Sequence, residues 1–473
     1  MRDAQEPERN NADATLTAPP PSTPNRIHYR PLWDERLEQA NRSGEGPVAI
    51  LVCHGMGQQV RYETISSVAE ALLTEARDDK ATVSPVEVTL AQANDDFLAR
   101  AEVKWEKDGR SHEVHVYEAY WAPLTEGKVT YWDTVKFLLR AGWDGLKFSR
   151  PFRASSFQRW MFGGPKQMRI GRMTWISLVG VLVFLLLQVG VIAFVSLTLA
   201  AQAKVALANF PIIAGGFGHW GLSCLRWLAL FIPGAVPGES FTWATVARTV
   251  IWLLLTAEAF VVRFFVIEFV GDVAAYVSAY KDSKFDDLRH QIRKIGLNVG
   301  QVVYGMGARQ STVPNYSRVL VVGHSLGSVL AYDTLNSLIN ADQVCADADR
   351  RNVVGRTRAL ITFGSPLDKT AFIFRLQTGS EAQWVREQLA ASAQPLIVDY
   401  AKYRPEPFRW INIWSPMDII SGSLDYYDDP AVPLNSPQHV DNMIDKQAST
   451  PLLAHVQYWQ NPLLRKQLYQ YVS

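Results

Sequence analysis

The chain has 473 residues, with 47 Lys and Arg, 46 Asp and Glu, and a formal net charge of +1. This balance excludes a nucleic-acid-binding protein that relies on a large excess of positive charge. Hydrophobic residues make up 48% of the sequence and charged residues 20%, as in folded proteins. The three cysteines lie far apart, so we expect neither a disulfide framework nor a cysteine-based zinc site.

The first 46 residues are polar and contain several prolines. They include no continuous apolar segment of the kind that a secretory signal peptide requires. We therefore predict a disordered polar tail over 1–46.

From residue 47 to 150 the pattern is that of strands alternating with helices. The run at 48–52 is apolar throughout, which is typical of a strand covered on both faces. Asp108-Gly109 separates two segments of alternating polarity, and this pattern predicts a β-hairpin. The further elements predicted here are a helix over 64–75 and strands over 86–90, 101–105 and 113–117.

A hydrophobic segment then interrupts this pattern. Residues 173–203 carry no charged side chain, and a membrane-spanning helix needs only about 20 apolar residues. Arginine and lysine without acidic residues precede the segment, which favours a cytoplasmic location for the preceding chain.

The chain on both sides of this insertion is predicted to form one sheet, so the number of membrane crossings must be even. We predict an insertion over 151–280 with two transmembrane helices, at about 174–200 and 243–268, and four crossings remain an alternative. Residues 281–473 would then complete the domain begun by 47–150.

The C-terminal part again alternates between strands and helices. This alternation indicates a mostly parallel sheet with helices on both faces. The elements predicted are helices over 288–303 and 326–338 and strands over 319–322, 359–363 and 410–414.

The most informative motif is Gly323-His324-Ser325-Leu326-Gly327, between an apolar strand and a helix. Gly-x-Ser-x-Gly in this context is typical of a nucleophile elbow, a turn so tight that the flanking positions require glycine. Ser325 is the candidate nucleophile, and the amide of Leu326 is a candidate oxyanion donor. We expect His324 to serve in packing or hydrogen bonding.

A second motif, His54-Gly55-Met56-Gly57, follows the first apolar strand. Glycines there allow the backbone to approach a substrate closely. The amide of Met56 is the candidate for the second oxyanion donor, with Gly57 as its neighbour. For His54 we favour orientation of this loop over a catalytic role.

A catalytic acid and then a histidine are expected downstream of the nucleophile. Asp418 and Asp368 both follow strand ends, and we favour Asp418 because it lies two strands beyond the nucleophile. His455 and His439 are the candidate bases. We favour His455, because His439 lies in a polar loop. Ser325 would attack, His455 would transfer the proton, and Asp418 would hold the imidazolium.

Together, the two glycine-containing motifs and the order of acid and histidine resemble α/β-hydrolase lipases and esterases. The sequence from Gly323 to Asp333, with Phe363-Gly364-Ser365-Pro366-Leu367 beyond it, is similar to intracellular DDHD-type phospholipases. The Asp-Asp-His-Asp signature of that family is not evident. The resemblance implies an α/β-hydrolase fold and hydrolysis of acyl-lipid or similar esters without a metal or organic cofactor.

The sequence thus predicts a membrane-anchored serine ester hydrolase. Its fold would be an α/β-hydrolase fold interrupted by a hydrophobic transmembrane helical insertion, with the hydrolase domain on the cytoplasmic side. The expected partners are the lipid bilayer and an acyl-ester substrate, with no nucleic acid and no metal. Alternatives are an acyltransferase or peptidase that uses the same triad, or a catalytically silent membrane scaffold.

Overall fold

The structure, a computed structural model, covers much of both predicted hydrolase segments. It describes residues 28–31, 46–55, 60–93, 96–125, 283–306, 316–370, 408–418, 420–428, 439–450 and 453–473, together with the single positions 136, 183, 186, 190, 191, 193, 250, 276, 433 and 436.

Ten strands and six α-helices are found in these residues. The strands are β1 (His28–Pro31), β2 (Val48–Cys53), β3 (Thr82–Val83), β4 (Glu87–Ala93), β5 (Asp96–Lys107), β6 (Arg110–Ala119), β7 (Arg318–His324), β8 (Thr357–Phe363), β9 (Arg409–Trp414) and β10 (Asp441–Ile444). The helices are α1 (Glu63–Asp78), α2 (Ser283–Tyr304), α3 (Leu326–Val344), α4 (Val353–Arg356), α5 (Ala454–Gln457) and α6 (Pro462–Val472).

The strands form one mixed sheet in the order β1-β4-β5-β6-β2-β7-β8-β9-β10, with β3 paired to β5. The pairs β3–β5, β4–β5 and β5–β6 are antiparallel, and the other pairs are parallel. The central strands β2 and β7 come from the two sequence halves. Their register aligns Cys53 with Gly323, so the two glycine-containing motifs leave the sheet side by side.

The predicted β-hairpin is confirmed. Strands β5 and β6 pair in antiparallel fashion up to Lys107 and Arg110. The two turn residues, Asp108 and Gly109, have φ of 49° and 75°. Positive φ at both positions is what a two-residue hairpin turn requires.

Helices cover both faces of the sheet. Alternate residues of β2 contribute to two separate apolar clusters. Ala49 and Leu51 pack on the side of α2 and α3, whereas Ile50 and Val52 pack on the side of α1 and α6. Both faces of this strand are therefore buried, which explains its continuous apolar sequence.

The predicted transmembrane insertion is not supported, and this part of the fold prediction is wrong. In the described parts of the chain, no helix is both long and apolar enough to cross a membrane. The longest, α2, has 22 residues but is amphipathic, with exposed charges at Asp286, Asp287 and Lys294. The two predicted spans, at about 174–200 and 243–268, lie almost wholly outside the described residues.

A short strand lies within the segment predicted to be a polar tail. Strand β1 pairs in parallel with β4, aligning His28 with Thr89. The remainder of 1–45 lies outside the described residues.

Candidate active site

The turn between β7 and α3 has the backbone geometry of a nucleophile elbow. Ser325 has φ 52° and ψ −130°, a conformation that costs a non-glycine residue about 1–3 kcal/mol. Its amide donates a hydrogen bond to the carbonyl of Phe363 over 3.0 Å, and its carbonyl accepts one from Ser328 over 2.9 Å. These bonds hold the strained residue between β8 and the first turn of α3.

Glycine is required on both sides of Ser325 by close backbone contacts. A Cβ atom at Gly323 would lie 2.5 Å from Cα of Ser328. A Cβ atom at Gly327 would lie 2.2 Å from the carbonyl oxygens of both Cys53 and His54. Helix α3 therefore starts in direct contact with the end of β2.

We expect Gly327→Ala to destabilise the fold by about 3 kcal/mol or more, because its methyl group would meet backbone that cannot move aside. Urea unfolding measures this loss. Gly355→Ala is the matched control. The three heavy atoms nearest to its Cβ would all belong to the side chain of Asn352, the closest at 2.4 Å, so the cost should be about 1 kcal/mol or less. Equal stability of Gly327→Ala and wild type would contradict the close packing of α3 on β2.

The structure brings together the three predicted catalytic side chains. Oγ of Ser325 lies 2.7 Å from Nε2 of His455, and Nδ1 of His455 lies 3.0 Å from Oδ2 of Asp418. All three side chains are buried. Because an ionised carboxylate only accepts hydrogen bonds, Nδ1 carries the imidazole proton, and Nε2 is left to accept the proton of Ser325.

The surroundings of Asp418 keep its carboxylate ionised. Burial acts to raise its pKa, but the charge and hydrogen bond of His455, together with the Ile420 amide and the Tyr458 hydroxyl, hold the pKa well below its usual range. The Ile420 amide donates to Oδ1 over 2.9 Å, and Tyr458 donates to Oδ2 over the same distance.

His54 fixes the start of the loop that follows β2. The amide of Trp121 donates to its Nε2 over 3.0 Å, so Nδ1 is protonated and donates to the carbonyl of Gly55 over 2.7 Å. The Trp121 indole stacks on the imidazole with 5.0 Å between ring centroids and donates to the His54 carbonyl. Burial lowers the pKa of His54 to about 4, so the ring is neutral near pH 7. These contacts support the predicted orienting role.

His324 connects the elbow to the backbone of His455. Its Nε2 lies 3.0 Å from the carbonyl oxygen of His455 and donates to it, and the two imidazole centroids are 5.1 Å apart. Burial, with a contribution from His455, lowers the pKa of His324 to about 3. Gly55 packs directly on this ring, since a Cβ there would lie 2.9 Å from Nδ1 of His324.

One predicted oxyanion donor lies in the described part of the chain. Leu326 is the first residue of α3, so its amide has no carbonyl partner within its own helix and remains available for an oxyanion. Met56 and Gly57 lie outside the described residues, and the second donor stays a prediction.

The alternative acid, Asp368, and the alternative base, His439, interact with other residues. Oδ2 of Asp368 is 3.4 Å from Nζ of Lys369, which also donates to the carbonyl of Ser421. Nδ1 of His439 is 3.8 Å from the carboxylate of Asp428. The geometry therefore favours Asp418 and His455, as the sequence did.

Sequence reasoning missed Trp121 and Tyr458. Trp121 follows β6 and contacts His54 at the end of the neighbouring strand β2. The two residues are far apart in sequence, so no local pattern identifies Trp121 as part of the site. Tyr458 stands three residues after His455, a spacing that places two side chains on the same side of a helical turn. That spacing is a usable signal once His455 is chosen.

Within the described part of the chain, one group of potential metal ligands lies outside this site, at Glu102, Glu113 and His115. Cationic side chains already compensate its carboxylates. Nζ of Lys104 lies 3.4 Å from Glu102 and 3.3 Å from Glu113, and Arg100 lies 2.8 Å from Glu102. We assign this cluster a structural role within β5 and β6.

Comparison with known proteins gave no match to a family model, to a curated protein or to a solved structure. The resemblance to α/β-hydrolases therefore rests on the motifs and geometry described above.

Proposed function

We propose that this protein is a serine hydrolase that cleaves carboxylic esters through an acyl-enzyme. One observation carries the proposal: the hydroxyl of Ser325, on a strained elbow, is within 2.7 Å of an imidazole whose other nitrogen faces an ionised carboxylate. This combination of nucleophile, base and orienting acid is what acyl transfer requires.

In the first half of the proposed reaction, Oγ of Ser325 attacks the ester carbonyl carbon while its proton passes to Nε2 of His455. Negative charge develops on the carbonyl oxygen, where the Leu326 amide donates a hydrogen bond. The tetrahedral intermediate then collapses, the C–O bond to the alcohol breaks, and His455 returns the proton to the leaving alkoxide. Asp418 stabilises the transient imidazolium by its charge.

In the second half, a water molecule replaces the alcohol. His455 takes a proton from the water as it attacks the acyl carbon, and a second tetrahedral intermediate forms. Collapse of this intermediate breaks the bond to Oγ of Ser325, which regains its proton from His455. The carboxylic acid is released and the free enzyme is restored.

Exposed apolar side chains adjoin two of the triad residues in the sequence, and we take them to favour an apolar acyl group. Met417 adjoins Asp418, while Leu453 and Val456 lie within two residues of His455. They are 48%, 54% and 49% exposed, respectively. Contact with an acyl chain would bury this surface, at about 25 cal/mol per Å² of apolar area. The proposed substrate is therefore an ester of a medium or long acyl chain.

A panel of p-nitrophenyl esters with increasing acyl length, followed by phospholipids, tests this proposal. We expect hydrolysis of the p-nitrophenyl esters, with kcat/KM rising as the acyl chain lengthens. Hydrolysis of phospholipids would identify a lipid-cleaving enzyme of the phospholipase type rather than an esterase of small soluble esters. Absence of hydrolysis of every ester by folded protein would contradict the proposed activity.

A further inference from the structure

We propose that Tyr458 is a positioning residue of the triad, because its hydroxyl donates to the same Asp418 oxygen that accepts from His455 and thereby sets the strength of the Asp418–His455 hydrogen bond. This inference rests on the proposed serine-hydrolase function. It adds a fourth side chain to the triad of Ser325, His455 and Asp418.

The hydrogen-bond directions around Tyr458 follow from its single hydroxyl proton. Its oxygen lies 2.9 Å from Oδ2 of Asp418 and 3.1 Å from Oγ of Ser421. Because the carboxylate only accepts, the proton of Tyr458 is donated to Asp418. The 3.1 Å contact is then a hydrogen bond donated by Ser421, whose hydroxyl also lies 3.5 Å from the carbonyl oxygen of Ser415. This bond strengthens Tyr458 as a donor.

Local structure fixes the ring independently of its hydroxyl. His455 lies in α5 and Tyr458 starts the 3₁₀ turn that follows, so the two side chains rise from one side of the same segment. The ring of Tyr458 is fully buried and lies edge-on to Phe363, with 6.2 Å between centroids. A Cβ atom at Gly364 would approach this ring to 3.2 Å. Phenylalanine would retain these contacts and remove only the hydroxyl.

Loss of the hydroxyl has a defined electrostatic sign. Oδ2 of Asp418 divides its negative charge between the Nδ1 proton of His455 and the proton of Tyr458. Without the second donor, the carboxylate accepts more strongly from His455 and stabilises the imidazolium. The imidazole of His455 then keeps its additional proton to a higher pH. The neutral imidazole that catalysis requires therefore forms only at higher pH.

The neighbouring titratable groups remain in one state during such a titration. Two titratable groups that contact His455 from other elements are Asp418 and His324. The pKa of Asp418 is well below its usual range, and that of His324 is about 3. Burial and the nearby Asp418 raise the pKa of Tyr458, so its hydroxyl stays protonated.

The test compares Tyr458→Phe with wild type in the pH dependence of p-nitrophenyl butyrate hydrolysis. We expect the acid limb of the pH profile of kcat/KM to shift to higher pH by about 0.5–1 pH unit, which is the size of effect expected from the loss of one hydrogen bond. We also expect kcat to fall about threefold to tenfold with little change in KM, because Asp418 loses one of the hydrogen bonds that fix its carboxylate, and the imidazole is then oriented less precisely.

Tyr304→Phe is the matched control. Tyr304 is also a buried tyrosine, and its hydroxyl lies 2.7 Å from Oγ1 of Thr357 at the start of β8, the opposite end of the strand from the site. The acid limb of the pH profile of Tyr304→Phe should coincide with that of wild type. An unmoved acid limb in Tyr458→Phe, whatever happens to the rate or stability, would show that Tyr458 is only structural.

Two further measurements keep the inference testable. If Tyr458→Phe does not fold, Ser421→Ala should shift the acid limb in the same direction by a smaller amount, and no shift would contradict the inference. If the wild type hydrolyses no ester, the proposed function is wrong, and this result does not by itself decide the role of Tyr458. NMR titration of labelled histidine would then still report whether Tyr458→Phe raises the titration midpoint of His455, and an unchanged midpoint would overturn the inference.

Discussion

Ser325→Ala is expected to lower kcat for ester hydrolysis by roughly 10⁶-fold. The methyl group leaves no oxygen to attack the ester, and the imidazole of His455 has no nucleophile to deprotonate. The residual rate would come only from oxyanion stabilisation and substrate binding. Steady-state kinetics with the best p-nitrophenyl ester measure the loss.

Ser337→Ala is the matched control for Ser325→Ala. Ser337 lies on the same helix, α3, and its hydroxyl donates to the carbonyl of Asp333 over 2.7 Å. This variant should keep the wild-type kcat. If Ser325→Ala retained substantial hydrolysis by correctly folded protein, another nucleophile would have to act.

Asp418→Asn is expected to lower kcat by about 10⁴-fold while the fold is retained. An asparagine amide would donate to Nδ1 of His455 and fix the proton on Nε2. That nitrogen could then no longer accept the proton of Ser325. The same change removes the negative charge that stabilises the imidazolium.

Asp368→Asn discriminates between the two candidate acids. Asp368 interacts with Lys369 rather than with the imidazole of His455, so this variant should change kcat by less than about tenfold. Kinetics of the two variants under identical conditions provide the comparison. A larger loss in Asp368→Asn than in Asp418→Asn would reverse the assignment of the acid.

The elbow and the hairpin were predictable because their signals are local. Gly323 marks a position where a side chain would collide with the backbone of Gly327 and Ser328 in the next turn. Asp108-Gly109 marks positive φ at two consecutive residues. Such constraints act within a few residues, so they are readable from sequence.

Other elements depend on contacts that sequence patterns do not encode. Strand β10, Asp-Asn-Met-Ile, is a polar edge strand that exists through its parallel pairing with β9. Strand β1 similarly depends on pairing with β4. Tyr458 joins the triad only through Asp418, which lies 40 positions earlier.

The transmembrane insertion was predicted from hydropathy, which measures the apolar content of a segment. A membrane-spanning helix must be both long and apolar, and no helix in the described residues meets this requirement. Helix α2 has sufficient length but alternates buried Phe285, Leu288 and Ile292 with exposed charged residues. Bilayer contact and a cytoplasmic location therefore have no support from the described helices and stay sequence predictions.

The central claim is that Ser325 is an activated nucleophile. Treatment of the native protein with a fluorophosphonate, followed by peptide mapping with mass spectrometry, tests it most directly. We predict one covalent adduct per chain, located on Ser325 and lost when the protein is unfolded before treatment. An unmodified Ser325 in folded protein, or an adduct on another residue, would contradict the claim.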